Sequence, residues 1–179
     1  SAINGFLSGI GHPVIGFDHL AFVIAIGVLA ALQSHRLLMP AGFIGGTILG
    51  TVLSVSLVSL PFAEWVITLS VLAAGAVAMR GRTTAVLPAT MLAALAGLFH
   101  GWAYGAAVIG AEMTPLMAYL AGFSLVQLAI VLTTGYVLRM ICNVSSAEAL
   151  RPRLAGAMIA GVGLSYFVEL VEAVAFPAM

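Results

Sequence analysis

Charged residues are scarce in this chain of 179 residues. Only 7% are Asp, Glu, Lys or Arg, lysine is absent, and the formal net charge is zero. Soluble domains carry about 25% charged residues, so a soluble globular domain is excluded. There is also no basic run that would suit a nucleic acid. The single cysteine, Cys142, excludes an intrachain disulfide.

Apolar residues are abundant instead, at 63% of the chain with a mean hydropathy of +1.20. The apolar runs are continuous rather than alternating, and several approach the ~20 residues that a helix needs to cross the hydrocarbon core. Only helices and closed barrels satisfy their backbone in lipid. The sequence therefore predicts an all-α integral membrane protein, a single transmembrane domain over residues 1–179. Its six helices are predicted at about 13–33, 37–60, 62–79, 84–106, 114–141 and 152–176.

The arginines set the predicted orientation of this bundle. They follow the first, third and fifth predicted helices, and the positive-inside rule assigns those loops to the cytoplasm. Both termini are then expected outside, in the periplasm beyond a bacterial inner membrane. Because the chain begins at Ser1, we expect a mature N-terminus left by signal cleavage. The arginines are Arg36, Arg80, Arg82, Arg139, Arg151 and Arg153.

Two predicted helices carry glycine at every fourth position. Such stripes let helix backbones approach closely in lipid, so we expect them to lie at helix–helix contacts. The second stripe contains His100, which places this histidine near an interface. Trp65, Trp102 and Tyr104 are expected in an aromatic belt at the outer membrane surface. The stripes are Gly42, Gly46 and Gly50, then Gly97, Gly101 and Gly105.

Three ionisable residues are predicted at one depth in the membrane. Asp18 and His19 fall roughly 8–9 Å below the outer surface at 1.5 Å per residue. His100 falls roughly 6 Å below it in a ~30 Å core. Ionisable groups inside a membrane are costly and mark functional sites, so we expect these three to meet. Imidazole and carboxylate together suit Ni²⁺, Co²⁺, Zn²⁺ or Cu²⁺, although Asp18 could instead fix a histidine tautomer.

Further polar residues are predicted near the same outer level. Pro13 suits a first helical turn, which would place His12 at the rim of the first helix. Glu112 falls in the outer loop before the fifth helix. Glu169 and Glu172, three apart on the last helix, are either additional oxygen ligands or a solvated helix end.

Two segments resemble motifs of a known family, and the likeness covers essentially the whole chain. Residues 12–19, HPVIGFDH, resemble the HPxxGxDH signature of the HupE/UreJ family of nickel and cobalt permeases. Residues 99–105, FHGWAYG, resemble its second motif, FHGxAHG with a nearby glutamate. Here Tyr104 stands where many relatives have histidine, and an insertion delays the glutamate. The resemblance implies six helices, a removed signal peptide and the metal ligands His12, Asp18, His19, His100 and Glu112.

The functional hypothesis is a permease rather than an enzyme. It would move Ni²⁺ or Co²⁺, in preference to Zn²⁺ or Cu²⁺, from the periplasm to the cytoplasm. One alternative is an electron carrier with haem between His19 and His100. Another is a metal-binding accessory subunit of a membrane complex that does not itself transport. The expected partners are lipid, the metal ion and a second copy or a membrane-complex subunit, without nucleic acid.

Overall fold

The computed structural model describes residues 1–177, and all regular secondary structure in that range is helical. This confirms the all-α class. A short 3₁₀ turn follows the fifth helix, and a π-helical turn, Val137–Ile141, extends the sixth. The seven α-helices are α1 Ala2–Ile15, α2 Phe17–Ala31, α3 Leu38–Val55, α4 Ala63–Met79, α5 Val86–Gly105, α6 Met113–Tyr136 and α7 Leu150–Ala175.

Four to five membrane spans are supported by length and composition. The helices α3, α5, α6 and α7, with their short extensions, are each long and apolar enough to cross a bilayer. Together, α1 and α2 would make a fifth span, bent by 82°. The helix α4 is apolar but has 17 residues, slightly short of the usual span length. A multi-pass membrane protein follows, while the number six stays a prediction.

The predicted first helix, 13–33, is wrong in its start and its continuity. The structure has two helices that meet at Gly16, and Pro13 lies near the end of α1 instead of in a first turn. His12 is accordingly inside a helix and does not begin one. The glycine-rich start of the chain has weak helix propensity. It is helical because Gly5 and Gly9 let α1 pack directly on the backbone of α6, which hydropathy cannot reveal.

The predicted second helix, 37–60, is too long at its end. The helix α3 stops at Val55, and both Leu57 and Phe62 have positive φ in the turn that follows. The Trp102 indole donates a hydrogen bond of 2.7 Å to the Val58 carbonyl in this turn. When the π-helical turn is counted with α6, the other four predicted helices match the observed ones to within about two residues, which is the usual uncertainty of helix ends.

Three helix pairs surround α2. The most extensive contacts join α3 to α5, α4 to α7 and α1 to α6. The helix α2 packs against α1, α3, α4, α6 and α7 and meets α5 through the contact of His19 with His100, and ten of its fifteen residues are buried. It is therefore the central helix, which explains why it is apolar on nearly every face. A polar residue on α2 must find its partner inside the protein.

The glycine stripes form the α3–α5 contact, as predicted. A Cβ atom on Gly46 would overlap the Ala94 carbonyl, and one on Gly101 would overlap the Thr47 backbone. Gly75 allows the same close approach between α4 and α7. Close backbone contact maximises van der Waals packing where lipid offers no hydrophobic driving force. The stripes thus fix α5, and with it His100, against its neighbours.

Arginine side chains cap helices at one end of the bundle. Arg139 donates to the carbonyl of Ala31, the last residue of α2, at 3.0 Å. Arg153 Nε donates to the carbonyl of Met79, the last residue of α4, at 3.2 Å. Carbonyls at helix C-termini lack partners within the helix, and cations there also oppose the helix dipole. We call this the arginine end of the bundle.

Candidate metal site

The break between α1 and α2 brings polar side chains into the protein interior. His12 lies in the last turn of α1, and Asp18 lies in the first turn of α2. One carboxylate oxygen of Asp18 accepts a 2.8 Å hydrogen bond from the backbone N–H of His19. A carboxylate is favoured at a helix N-terminus because the unpaired N–H groups and the helix dipole are positive there. The break thus carries an imidazole on one side and a carboxylate on the other.

Gly16 is the residue at which the chain turns between the two helices. It is extended, with φ −76° and ψ 107°, a conformation that any residue can adopt. A Cβ atom here, however, would lie 2.7 Å from Cδ2 of the His19 ring. Glycine is therefore needed so that the His19 ring can lie against the break.

His19 on α2 and His100 on α5 are in direct contact. Their Nδ1 atoms are 2.7 Å apart, which is a hydrogen bond between the two rings. Both residues are buried, and His100 is 0% exposed. Of the three residues expected to meet, the two histidine rings are in contact, and the Asp18 carboxylate lies 4.0 Å from His19 Nε2.

A chain of hydrogen bonds assigns the tautomers of this pair. Ser70 Oγ on α4 lies 2.6 Å from the Ile67 carbonyl, to which its one proton must be donated. Ser70 Oγ therefore accepts from His100 Nε2, at 2.9 Å. His100 Nδ1 is then the acceptor, and His19 Nδ1 is the donor. In the neutral pair, His19 Nε2 is left unprotonated on the side of Asp18.

Aromatic rings surround the pair. Phe22 stacks on His100 with ring centroids 4.5 Å apart and an angle of 25° between the planes. The ring centroid of Tyr104 lies 4.8 Å from that of His19 and 5.2 Å from that of His12, with the planes steeply inclined in both pairs. The two imidazoles are thus held between close-packed rings, which restrict their rotation.

The aromatic belt was predicted wrongly for Tyr104. This side chain is 0% exposed, whereas Trp65 and Trp102 are partly exposed. Tyr104 lies one helical turn after His100, so both side chains occupy the same face of α5. That face points into the bundle. The sequence-based prediction used depth alone and did not consider helix face.

The Tyr104 hydroxyl has no hydrogen-bond partner among residues 1–177. Its backbone carbonyl, in contrast, accepts a 2.8 Å bond from the Tyr119 hydroxyl. Leaving a buried polar group unpaired costs about 1–3 kcal/mol, so such groups are uncommon in native interiors. The other unpartnered buried polar atoms belong to Gln33, Ser124 and Gln127.

The remaining predicted ligands lie outside this cluster of rings. Glu112 precedes α6 and is exposed, and Glu169 and Glu172 are exposed on α7. Among the described residues 1–177, no three His, Cys, Asp or Glu side chains are arranged to hold a metal ion. The ligand set therefore stays a prediction.

Binding one ion through both facing nitrogens would require the histidine pair to separate. Two nitrogens on a tetrahedral metal at about 2.0–2.1 Å are about 3.3 Å apart. The Nδ1 atoms of His19 and His100 are 2.7 Å apart. The observed arrangement is thus a closed, hydrogen-bonded pair. To bind one ion through both Nδ1 atoms, the two nitrogens would have to move about half an ångström apart and His19 Nδ1 would have to lose its proton.

Sequence reasoning missed Ser70 and Phe22. Ser70 is hydrogen-bonded to His100, and the Phe22 ring stacks on it. Neither carries a signal in the sequence, because a serine or phenylalanine within an apolar helix is ordinary. Both residues also line a groove of about 600 Å³ between α4 and α5, which is open to the surface of the bundle and includes Arg80 among its lining residues. Its walls are mainly apolar.

Comparison with known proteins identifies the chain's relatives. The family model described as HupE / UreJ protein matches residues 1–166. Protein HupE of Rhizobium leguminosarum bv. viciae is 28% identical over 122 residues, which cover 67% of this chain and 63% of that protein. The match therefore spans less than two thirds of that relative's length. No solved structure shows a significant match. The chain belongs to the HupE/UreJ family.

Proposed function

We propose that this protein is a permease that carries a divalent transition metal, Ni²⁺ or Co²⁺, from the periplasm to the cytoplasm. The observation that carries this proposal is the broken helix α1–α2. Its break bears His12, Asp18 and His19, and it lies against His100 of another helix. Transporters commonly use discontinuous helices at their ion sites, and ionisable groups within a membrane mark substrate pathways.

The proposed ion path follows the burial of the ligands. His12 and Asp18 are half-buried and would receive the ion, whereas His19 and His100 are buried and would hold it after partial dehydration. The exposed Glu112, Glu169 and Glu172 would act earlier, by attracting the cation to the mouth.

The donor types support the choice of metal. Imidazole nitrogen and carboxylate oxygen suit borderline divalent ions, whereas thiolates select softer ones. The one cysteine, Cys142, lies beyond the π-helical turn after α6 and not at the histidine pair. The family's association with nickel and cobalt, noted with the sequence motifs, favours these two ions over Zn²⁺ or Cu²⁺.

The haem alternative is not supported by the geometry. Axial histidines of a haem lie on opposite faces of the macrocycle, with the iron between their nitrogens. His19 and His100 are instead hydrogen-bonded directly to each other at 2.7 Å, which leaves no room for a macrocycle between them. The alternative of an accessory subunit uses the same metal site. It differs from a permease only in that the protein would bind the metal ion without moving it across the membrane.

Metal uptake by cells that express variants tests the proposal. We expect Asp18→Asn and His19→Ala each to lower high-affinity Ni²⁺ uptake at least tenfold, because ligand and orienting groups typically contribute factors of 10–100. His35→Gln is the matched control, since His35 is exposed between α2 and α3. Undiminished Ni²⁺ uptake in both variants, at equal protein levels in the membrane, would contradict the proposed site.

A further inference from the structure

Tyr104 places a hydroxyl group at the edge of the histidine cluster. The residue is 0% exposed, and its ring packs against both His12 and His19. No described residue bonds that hydroxyl. An unpaired polar group thus lies among the groups that face the helix break.

Packing alone does not account for this hydroxyl. The neighbouring side chains Val108 and Phe123 are apolar, and a phenylalanine ring would pack against them equally well. Tyr119, in the same cluster, shows the usual arrangement, because its hydroxyl is bonded to a carbonyl. A buried tyrosine normally finds a partner for its O–H. An exception is expected where the partner is an ion or a water molecule.

We propose that the Tyr104 hydroxyl binds the transported ion through a water molecule that the ion keeps while His19 and His100 hold it. This rests on the proposed metal-transport function and adds an oxygen contact to it. The coordinated water would donate one of its protons to the phenol oxygen, since coordination uses the water's lone pair and makes its O–H groups stronger donors.

The contact gives the site a means of retaining a partly hydrated ion. Two imidazoles and one carboxylate fill three coordination positions, and a structural zinc site is usually closed by four protein ligands. A water held by Tyr104 completes the coordination with a ligand that exchanges easily. An ion bound in this way can be released, which a carrier requires and a storage site does not.

The Tyr104→Phe variant tests this inference, because it removes only the hydroxyl. The full chain is purified in detergent and titrated with Ni²⁺ by calorimetry, and its melting temperature is measured with and without the metal. We expect at least a tenfold loss of Ni²⁺ affinity, with a melting temperature without metal that is unchanged or higher, since an unpaired buried group is lost. Tyr136→Phe, on an exposed tyrosine of α6, is the control and should bind Ni²⁺ as the wild type does.

X-ray absorption of the Ni²⁺-loaded proteins gives a second readout. The Tyr104→Phe variant should show one oxygen scatterer fewer, or a less ordered one, than the wild type. Equal Ni²⁺ affinity and equal spectra in the two proteins would overturn the role of the hydroxyl and leave the transport proposal intact. A wild-type protein that fails to bind Ni²⁺ or Co²⁺ would overturn both.

Discussion

Single residues determine which nitrogen atoms are presented at the proposed site. Ser70 uses its proton on the Ile67 carbonyl, so it can only accept from His100 Nε2. That bond fixes the tautomer of His100 and, through it, that of His19. The meeting of the two histidines could be predicted from depth in the membrane. The role of Ser70 could not, because it depends on a contact between residues 30 apart in the sequence.

The Ser70→Ala variant should weaken metal binding without removing a ligand. His100 would lose its acceptor, and its tautomer would no longer be fixed. Groups that orient metal-binding histidines typically contribute 10–100-fold to affinity, so we expect about a tenfold loss. Nitrogen NMR of histidine-labelled protein should show a second tautomer at His100. Ser165→Ala, on an exposed face of α7, is the control; a single unchanged tautomer in Ser70→Ala would contradict the assignment.

Helices were predictable where hydropathy alone decides them. Five of the six predicted helices were found, with one end too long, because a continuous apolar run has no other stable form in lipid. The broken first helix was not predictable. Its first half, α1, contains Gly5 and Gly9 and is stabilised by contact with α6. Tertiary packing, and not propensity, makes such a segment helical.

The Gly16→Ala variant tests whether the helix break positions His19. The added Cβ would lie 2.7 Å from the His19 ring, and that ring is held by its bond to His100. We expect the ring to be displaced and Ni²⁺ affinity to fall about tenfold, as for other changes in ligand orientation. Gly11→Ala is the matched control in α1, because its Cβ would meet only an ordinary contact at 3.6 Å. Calorimetric titration of both variants measures the difference, and equal affinities would contradict the account.

The whole molecule combines three close-packed helix pairs around one central helix. Arg139 and Arg153 cap the ends of α2 and α4 at one end of the bundle. The membrane environment could be predicted from composition, because partitioning into a membrane depends on the average hydropathy of the chain. The site required the complete packing, since α1, α2, α4 and α5 each contribute a side chain that is distant in sequence. The six-span count and the periplasmic position of the termini stay predictions.

The most direct test of the central claim is Ni²⁺ flux into liposomes that contain the purified full chain and a trapped metal-sensitive dye. Wild-type protein and His35→Gln should both give saturable Ni²⁺ entry. His100→Gln should reduce that entry at least tenfold, because one of the two buried nitrogens that hold the ion is lost. Undiminished entry in His100→Gln, or wild-type protein that binds Ni²⁺ but gives no more entry than protein-free liposomes, would contradict the account.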